Sequence, residues 1–284
     1  VQASPVLDRI PFLPIEGNAY AYNAEATLPG VEFRSVNEGY SESTGTVVPK
    51  SESLVILGGD ADVDRFIVKT RGNLNDQRAT QTAMKVKAAS YFFQDHFING
   101  DTAVNAKGFD GLKKRLTGAQ VIDAGGLEPV TAGHDFFDAL DALIAAVPGI
   151  NGSNGALYTN AAVIAKIKSS ARRLGGVEMV REALTQKMVA TYNGVPLLDI
   201  GQTAAGADII PADESDIYAV RFGADEGDQA VTGLTNGGVQ VYDLGELDSK
   251  PVYRTRLEFY TGLATFGGRA AARLAGVATS VPSP

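Results

Sequence analysis

The chain has 284 residues, 44% of them apolar and 20% charged, ordinary usage for a globular protein and far from disordered compositions. With Lys+Arg 25 against Asp+Glu 33 the formal charge is -8 at pH 7, so the whole molecule is excluded as an electrostatic sink for nucleic acid and any DNA contact must be local. There is no cysteine, which excludes disulfides, thiolate metal sites and a cysteine nucleophile, and with them, in effect, structural zinc.

Length alone fits one large domain or two smaller ones. No stretch approaches the ~20 consecutive apolar residues of a membrane span, and the start, VQASPVLDRIPFLPIEG, lacks a basic region followed by an apolar run. The expectation is a chain neither membrane-bound nor secreted by a visible signal. Val1 in first place fits Met removal, an arbitrary edge, or trimming of a longer precursor.

Residues 1–30 carry Pro5, Pro11, Pro14 and Pro29 with no sustained period, which predicts an extended arm that needs something to lie on. Residues 31–70 divide into VEFRSVNEG, a polar SESTGTVVPKSES and LVILGGDADVDRFIVKT, read as two strands around a long exposed tip. Two strands bury too little surface to offset ordering, so this loop should rest on a neighbouring molecule. From Asn73 or Asn75, either able to cap, Val86, Ala89, Phe93 and Phe97 recur at helical spacing until Asn99-Gly100, predicting a spine helix roughly 35 Å long. A second helix, HDFFDALDALIAAV, places Phe136, Leu140, Leu143 or Ile144, and Val147 on one face before Pro148-Gly149. A third, NAAVIAKIKSSARRL, has Asn160 as its cap, Ile164, Ile167, Ala171 and Leu174 inward, Arg172 and Arg173 at its C-terminal end, and Gly175-Gly176 as its stop. MVATY-Asn193-Gly194-VPLLDI signals a type I′ hairpin. Strands follow at DIYAVRFG, GGVQVYDLG and VYRTRLEFYTGLATF. The last alternates Tyr253, Thr255, Leu257, Phe259, Thr261 and Leu263 with a face of Arg254, Arg256, Glu258 and Tyr260. Without internal repeats or regular strand-helix alternation, the class is α+β.

Motifs for chemistry are missing. His96 sits in the spine helix and His134 at a helix start, no G-x-S-x-G turn is present, and GGVQVYD and LGGDADV lack the spacing of a dinucleotide loop. Asp60, Asp62 and Asp64 open like a calcium loop, but Arg65 holds the glycine position and Arg71 the bidentate glutamate position, which excludes an EF-hand. On a strand the three form one acidic stripe, open to solvation, to pairing with a neighbouring subunit, or to a cation. The acidic run 223–228 reads as a polar loop. Lys107, Lys113, Lys114 and Arg115 read as a solvated turn, or as a contact with packaged nucleic acid or a neighbour. The expectation is a protein without catalytic activity, cofactor or metal.

The order of arm, two-stranded loop, spine helix, mixed insertion and long final strand resembles the Hong Kong 97 fold of the major capsid proteins of tailed double-stranded-DNA bacteriophages. FFQDHFINGDTAVNAKGFDGLKKRL resembles the end of the family's spine helix, its turn and the segment after it. HDFFDALDALIAAVPGINGSNGALYTNAAVIAKIKSS resembles the start of its axial domain, and YNGVPLLDIG, DIYAVRFGA and YRTRLEFYTGLATF its hairpin and closing strands.

The resemblance covers nearly the whole chain through order and spacing. It implies an N-terminal arm at 1–30, an extended loop at 31–70, a peripheral domain from 71–135 with 240–284, and an axial domain at 136–239. It also implies self-assembly into the pentamers and hexamers of an icosahedral shell around double-stranded DNA, located in the virion and built in the host cytoplasm. Scaffolding, portal and cement proteins are its expected further partners, with weak non-specific contact to the DNA and no membrane. Lys50, Asp60, Asp62, Asp64 and Arg65 are the candidate intersubunit contacts. Some family members crosslink a loop lysine to a neighbour's asparagine; Lys50 lies in the corresponding loop, but no motif identifies an Asn and Glu partner, so that chemistry is not carried over. An encapsulin-like nanocompartment shell is the alternative within the architecture, and a soluble hydrolase or binding protein the alternative outside it.

Overall fold

The computed structural model describes residues 4–27, 29–71, 76–174, 179–181, 188–212 and 215–279. The N-terminal segment is no free arm. Val6 and Ile10 are buried in the main core, and strand β1 (Phe12–Pro14) pairs in parallel with residues 233–235 of its own chain. Strands β2 (Ala19–Thr27) and β3 (Thr46–Ser53) make an antiparallel two-stranded ribbon, so the expected first strand at VEFRSVNEG is displaced into AYAYNAEAT. The reason is partnering: Tyr22 and Ala24 alternate onto buried Phe266, whereas Val31 and Phe33 alternate with nothing beneath them. VVPKSES is accordingly strand rather than tip, and the tip is 29–45.

Strand β4 (Val55–Asp64) leaves the ribbon for a different sheet, and RFIVKTR, expected as strand, is the short helix α1 (Arg65–Arg71). The spine helix α2 (Gln77–Asn99) is capped by Asp76, whose carboxylate accepts from the Arg78 and Ala79 amides; the expected caps Asn73 and Asn75 lie outside the described residues. Helix α3 (Leu112–Arg115), strand β5 (Val121–Asp123), helix α4 (Gly133–Ala145), strand β6 (Gly155–Thr159) and helix α5 (Ala161–Leu174) follow. Phe136, Leu140, Leu143 and Val147 are fully buried, which settles the choice between Leu143 and Ile144. Asn160 caps α5 through its side-chain oxygen, 2.8 Å from the Val163 amide. Leu174 is exposed, contrary to expectation, and buried Val163 and Ser170 complete the inward face instead. Gly175-Gly176 lie outside the described residues.

Strands β7 (Met179–Arg181), β8 (Met188–Tyr192), β9 (Val195–Asp199), β10 (Ser215–Arg221), β11 (Val231–Glu246), β12 (Val252–Thr265) and β13 (Ala271–Val277) complete the chain. Asn193 and Gly194 turn the β8-β9 hairpin with φ of 49° and 75°, both in the left-handed region that a type I′ turn needs.

A seven-stranded sheet runs β5-β13-β10-β6-β9-β8-β7, and a four-stranded sheet runs β1-β11-β12-β4. Strands β6 and β10 are buried on both faces. Leu157, Ile217 and Ala219 face α4 and α5, while Ala156, Tyr158, Tyr218 and Val220 face the core shared with Phe97, Ile98 and the N-terminal segment. Strand β13 belongs to this sheet, and β11 runs without interruption through residue 240, where a boundary between axial and peripheral domains was expected.

Helix α2 lies on β4 and β12 of the smaller sheet, and its last turns join the two sheets. Phe93 packs on Phe12 and Phe259 of the four-stranded sheet, with ring centroids 6.1 and 6.2 Å away, and Phe97 meets Tyr158 of the larger sheet at 6.2 Å. Replacement of Phe93 by Ala should cost about 3–5 kcal/mol in urea unfolding of the unassembled chain. The exposed Leu174→Ala change should cost about 0.5 kcal/mol or less. Equal losses at the two positions would contradict this account of the core.

Candidate assembly surfaces

The acidic stripe is answered within its own chain. Antiparallel register sets Asp62 opposite Arg254 and Asp60 opposite Arg256. Arg254 donates to Asp62 through two nitrogens at 2.7 Å, Arg256 to Asp60 at 2.7 and 3.0 Å, and Arg254 also lies 3.2 Å from Asp60. Hydrogen bonds from Arg256 and Arg254 hold the Asp60 and Asp62 carboxyls below the usual range, and the same bonds push both guanidiniums up. Asp64 acts on its own backbone instead: its carboxylate accepts from the Phe66 amide at 2.7 Å and starts α1. Arg65 pairs with Glu246 at 2.9 Å. Asp60 and Asp62 therefore need no neighbour to balance their charge. The signal for this was present in the sequence, since the R-x-R of YRTRLE has the same period as D-x-D. Among the described residues no three His, Asp or Glu side chains converge where they could hold a metal ion.

Half of the basic cluster is also structural. Lys114 bridges Asp101 at 2.6 Å and Asp110 at 3.0 Å, closing the loop after α2. Arg115 makes a two-pronged bond to Glu52 at the base of the ribbon, at 2.5 and 2.8 Å, with both side chains largely buried. Lys107 and Lys113 are exposed. His96 stacks on Phe92 with its Nδ1 3.1 Å from the Phe92 carbonyl, and His134 sits in the first turn of α4. In the acidic loop, Asp225 and Asp228 accept from backbone amides of their own turn, and Glu226 accepts from the Tyr20 hydroxyl and the Asn23 amide.

These contacts anchor one end of the ribbon. The Tyr22 ring meets Phe266 edge-on at 4.8 Å and its hydroxyl donates to the Thr265 carbonyl at 3.1 Å; burial pushes the phenol up to about 12. Lys50, opposite Tyr22 on β3, is exposed on the ribbon's flank. Among the described residues the other end has no partner to bury it, yet it holds a shape. Gly30 donates to Ser43 Oγ at 2.8 Å, Ser35 to Glu38 at 2.9 Å and Ser41 to Glu32 at 2.5 Å, while the Arg34 guanidinium lies 5.3 Å from the centre of the Tyr40 ring. Beside these internal bonds, Val31 (97% exposed), Phe33 (fully exposed) and Val36 (88%) point into solvent. Each is worth about 1.5–3 kcal/mol if buried, so together they leave unused an amount comparable with a whole domain's net stability. Two further exposed apolar residues, Ile56 and Phe92, line a cavity of about 350 Å³ between α2 and β4. The sequence pattern did not identify either patch, because exposure of an apolar residue follows from what the rest of the chain fails to cover.

Residues 2–131 match the family of major capsid protein GP7. No curated protein is recognisably related to the chain by sequence. Solved structures share its fold almost end to end. The SrpI encapsulin complex of Synechococcus elongatus PCC 7942 is 19% identical, with 100% of this chain and 94% of that one covered and a TM-score of 0.72. The capsid of cyanophage A-1(L) is 15% identical over 98% and 93%, with a TM-score of 0.68, and Mycobacterium phage Adephagia 14% over 100% and 92%, with a TM-score of 0.67.

Acid should test the ladder of charge. Because the Asp60 and Asp62 values are lowered in the folded chain, their stabilisation is complete above the ordinary aspartate range near pH ~4 and is lost as pH falls through the lowered values. The melting temperature should therefore fall in this range, and the Arg254→Gln/Arg256→Gln variant, already lower at pH 7, should fall less steeply. Parallel curves for the two proteins would remove the ladder from the account. Residues 2–131, under half of the chain, thus match the family of major capsid protein GP7, and the chain along nearly its whole length shares the fold of these shell subunits.

Proposed function

We propose that the protein is the structural unit of a closed icosahedral shell that encloses the double-stranded DNA of a tailed phage, without catalytic activity of its own. The observation that carries this reading is the ribbon: its base is anchored in the subunit and its tip displays apolar side chains that the subunit does not cover. A single-copy protein gains nothing from that arrangement. A head-to-tail contact, in which the tip of each subunit reaches the next, closes into rings, and pentamers and hexamers are such rings. The axial role at 136–239 and the peripheral role at 71–135 with 240–284 belong to the same proposal. So do contacts of Lys50 and of the Asp60–Arg65 segment with neighbours, and cooperation with scaffolding, portal or cement proteins. The net charge of -8 supports a lining that releases its DNA, with any contact confined to local basic groups such as Lys113.

A second reading, a nanocompartment that holds proteins, is favoured by one observation, the end-to-end likeness to the SrpI encapsulin. The family match to major capsid proteins places it second.

Negative-stain electron microscopy of the purified protein, with its size-exclusion profile, tests both. Closed particles, tubes or rings are expected, and in native particles DNA rather than a cargo enzyme. A stable monomer at high concentration, with or without a scaffold, would count against the shell. A cut at 38–58 would remove β3 and part of β4. The clean variant is instead a Gly-Ser link replacing 31–42, between the hydrogen-bonded Gly30 and Ser43. It should keep the parent's melting temperature and lose assembly; normal shells from it would refute the role given to the tip.

A further inference from the structure

At the carboxyl ends of β6 and β9, a parallel pair that sets Thr159 beside Asp199, the chain opens into a cavity of about 640 Å³. This is the end of a parallel pair at which the departing loops leave room for a ligand. The start of α5, Tyr91 and Gln94 of α2, Pro5 and the loop 199–208 enclose it. Much of the polar wall is spent on the fold. Asn160 donates to the Ile210 and Pro211 carbonyls and to Ser215 Oγ, its oxygen caps α5, and Gln202 donates to Asp208 at 2.8 Å. Three acceptors are left over. Gln94, only 3% exposed, donates through Nε2 to Ser4 Oγ at 2.5 Å, and no described residue donates to its Oε1. Asp199 accepts one bond, from the Gly201 amide, and Asp208 one from Gln202; neither is ion-paired among the described residues. The lining holds no lysine or arginine. A buried acceptor without a donor is costly to the fold and calls for a reason.

We propose that this cleft binds the primary ammonium groups of a free aliphatic polyamine, with Asp199, Asp208 and Gln94 Oε1 as the acceptors. An ammonium brings three donors and no acceptor, which is what three leftover acceptors require, and its bonds to carboxylates are charge-assisted. A metal ion fits less well, because no three His, Asp or Glu side chains converge among the described residues. An anion drawn to the start of α5 would meet two carboxylates instead. Ile200, Ala161 and Ala204 give the wall an apolar part against which methylenes can lie, and volumes of this size take small molecules. Every group belongs to one subunit, so the proposal does not depend on the shell reading. The net charge of -8 attracts cations to the molecule as a whole, and binding in the cleft has to be told apart from that general field.

Isothermal titration of the purified, DNA-free full chain with spermidine at low salt should show saturable binding of a single molecule per chain. The variant Asp199→Asn with Asp208→Asn keeps the side-chain oxygens that accept from Gly201 and Gln202, so it should melt like the parent. Its affinity for spermidine should fall more than about tenfold, through loss of the charge-assisted bonds. The variant Glu16→Gln with Asp248→Asn removes the same two charges from exposed positions outside the cleft and should bind within about twofold of the parent. Equal losses in the two variants would mark a diffuse attraction and overturn the site, as would the absence of saturable binding. Displacement of spermidine by inorganic phosphate through direct binding in the cleft would reverse the assigned charge and overturn it too. Tighter binding of Nα-acetyl-lysine amide than of spermidine would assign the cleft to a protein's lysine and overturn the polyamine.

Discussion

The structure depends on four residues' worth of helix. Phe93 and Phe97 stand one turn apart near the end of α2; the first packs into the four-stranded sheet and the second into the seven-stranded sheet. Neither sheet closes its core without them, since Phe12, Phe259, Tyr158 and Phe222 all present rings to this pair. The N-terminal segment completes the same junction, with Val6 and Ile10 in the core and Ser4 bonded to buried Gln94. The junction is thus where the buried faces of the two sheets meet.

What extends is held by different forces. Residues 231–235 of β11 are buried, and from Asn236 onward the strand is mostly exposed, after a bulge at Gly237 and Gly238 whose φ values of 79° and 69° suit only glycine well. Beyond that point the sheet has little apolar cover. Cross-strand charge takes over: Asp60 and Asp62 with Arg256 and Arg254, and Arg78 of α2 with Asp243, its guanidinium over the Tyr253 ring. Such pairs are individually weak, yet a one-residue slip would set Asp60 and Asp62 opposite Thr255 and Tyr253, or opposite Leu257 and Thr255, so the charge ladder also favours the observed register.

The ribbon follows the same division between an apolar root and a projecting end. Tyr22 on Phe266 and Glu52 on Arg115 determine where it leaves the subunit. Its tip is ordered by its own hydrogen bonds, and no described residue covers Val31, Phe33 or Val36. Order without burial is costly in entropy unless a partner recovers it, which is the ground of the proposed shell role.

Much of this was legible before any coordinates. Helical periodicity placed α2, α4 and α5, because each repeats its apolar residues over three or more turns. Asn193-Gly194 placed the hairpin, because few residue pairs accept two positive φ angles. The alternation of the closing strand placed Leu257, Phe259 and Leu263 in the core. These are local signals, carried by the spacing of neighbours along the chain. The ribbon's first strand, the helical fate of RFIVKTR, the outward turn of Leu174 and strand β13 were not legible in the same way. Partners distant in sequence decide the two strands, Phe266 for Tyr22 and the neighbouring strands for 271–277, while α1 starts on the local Asp64 cap. Asp60 and Asp62 show the difference most directly, since the stripe was visible in the sequence, while arginines nearly two hundred residues away decided that it is half of a ladder within one chain.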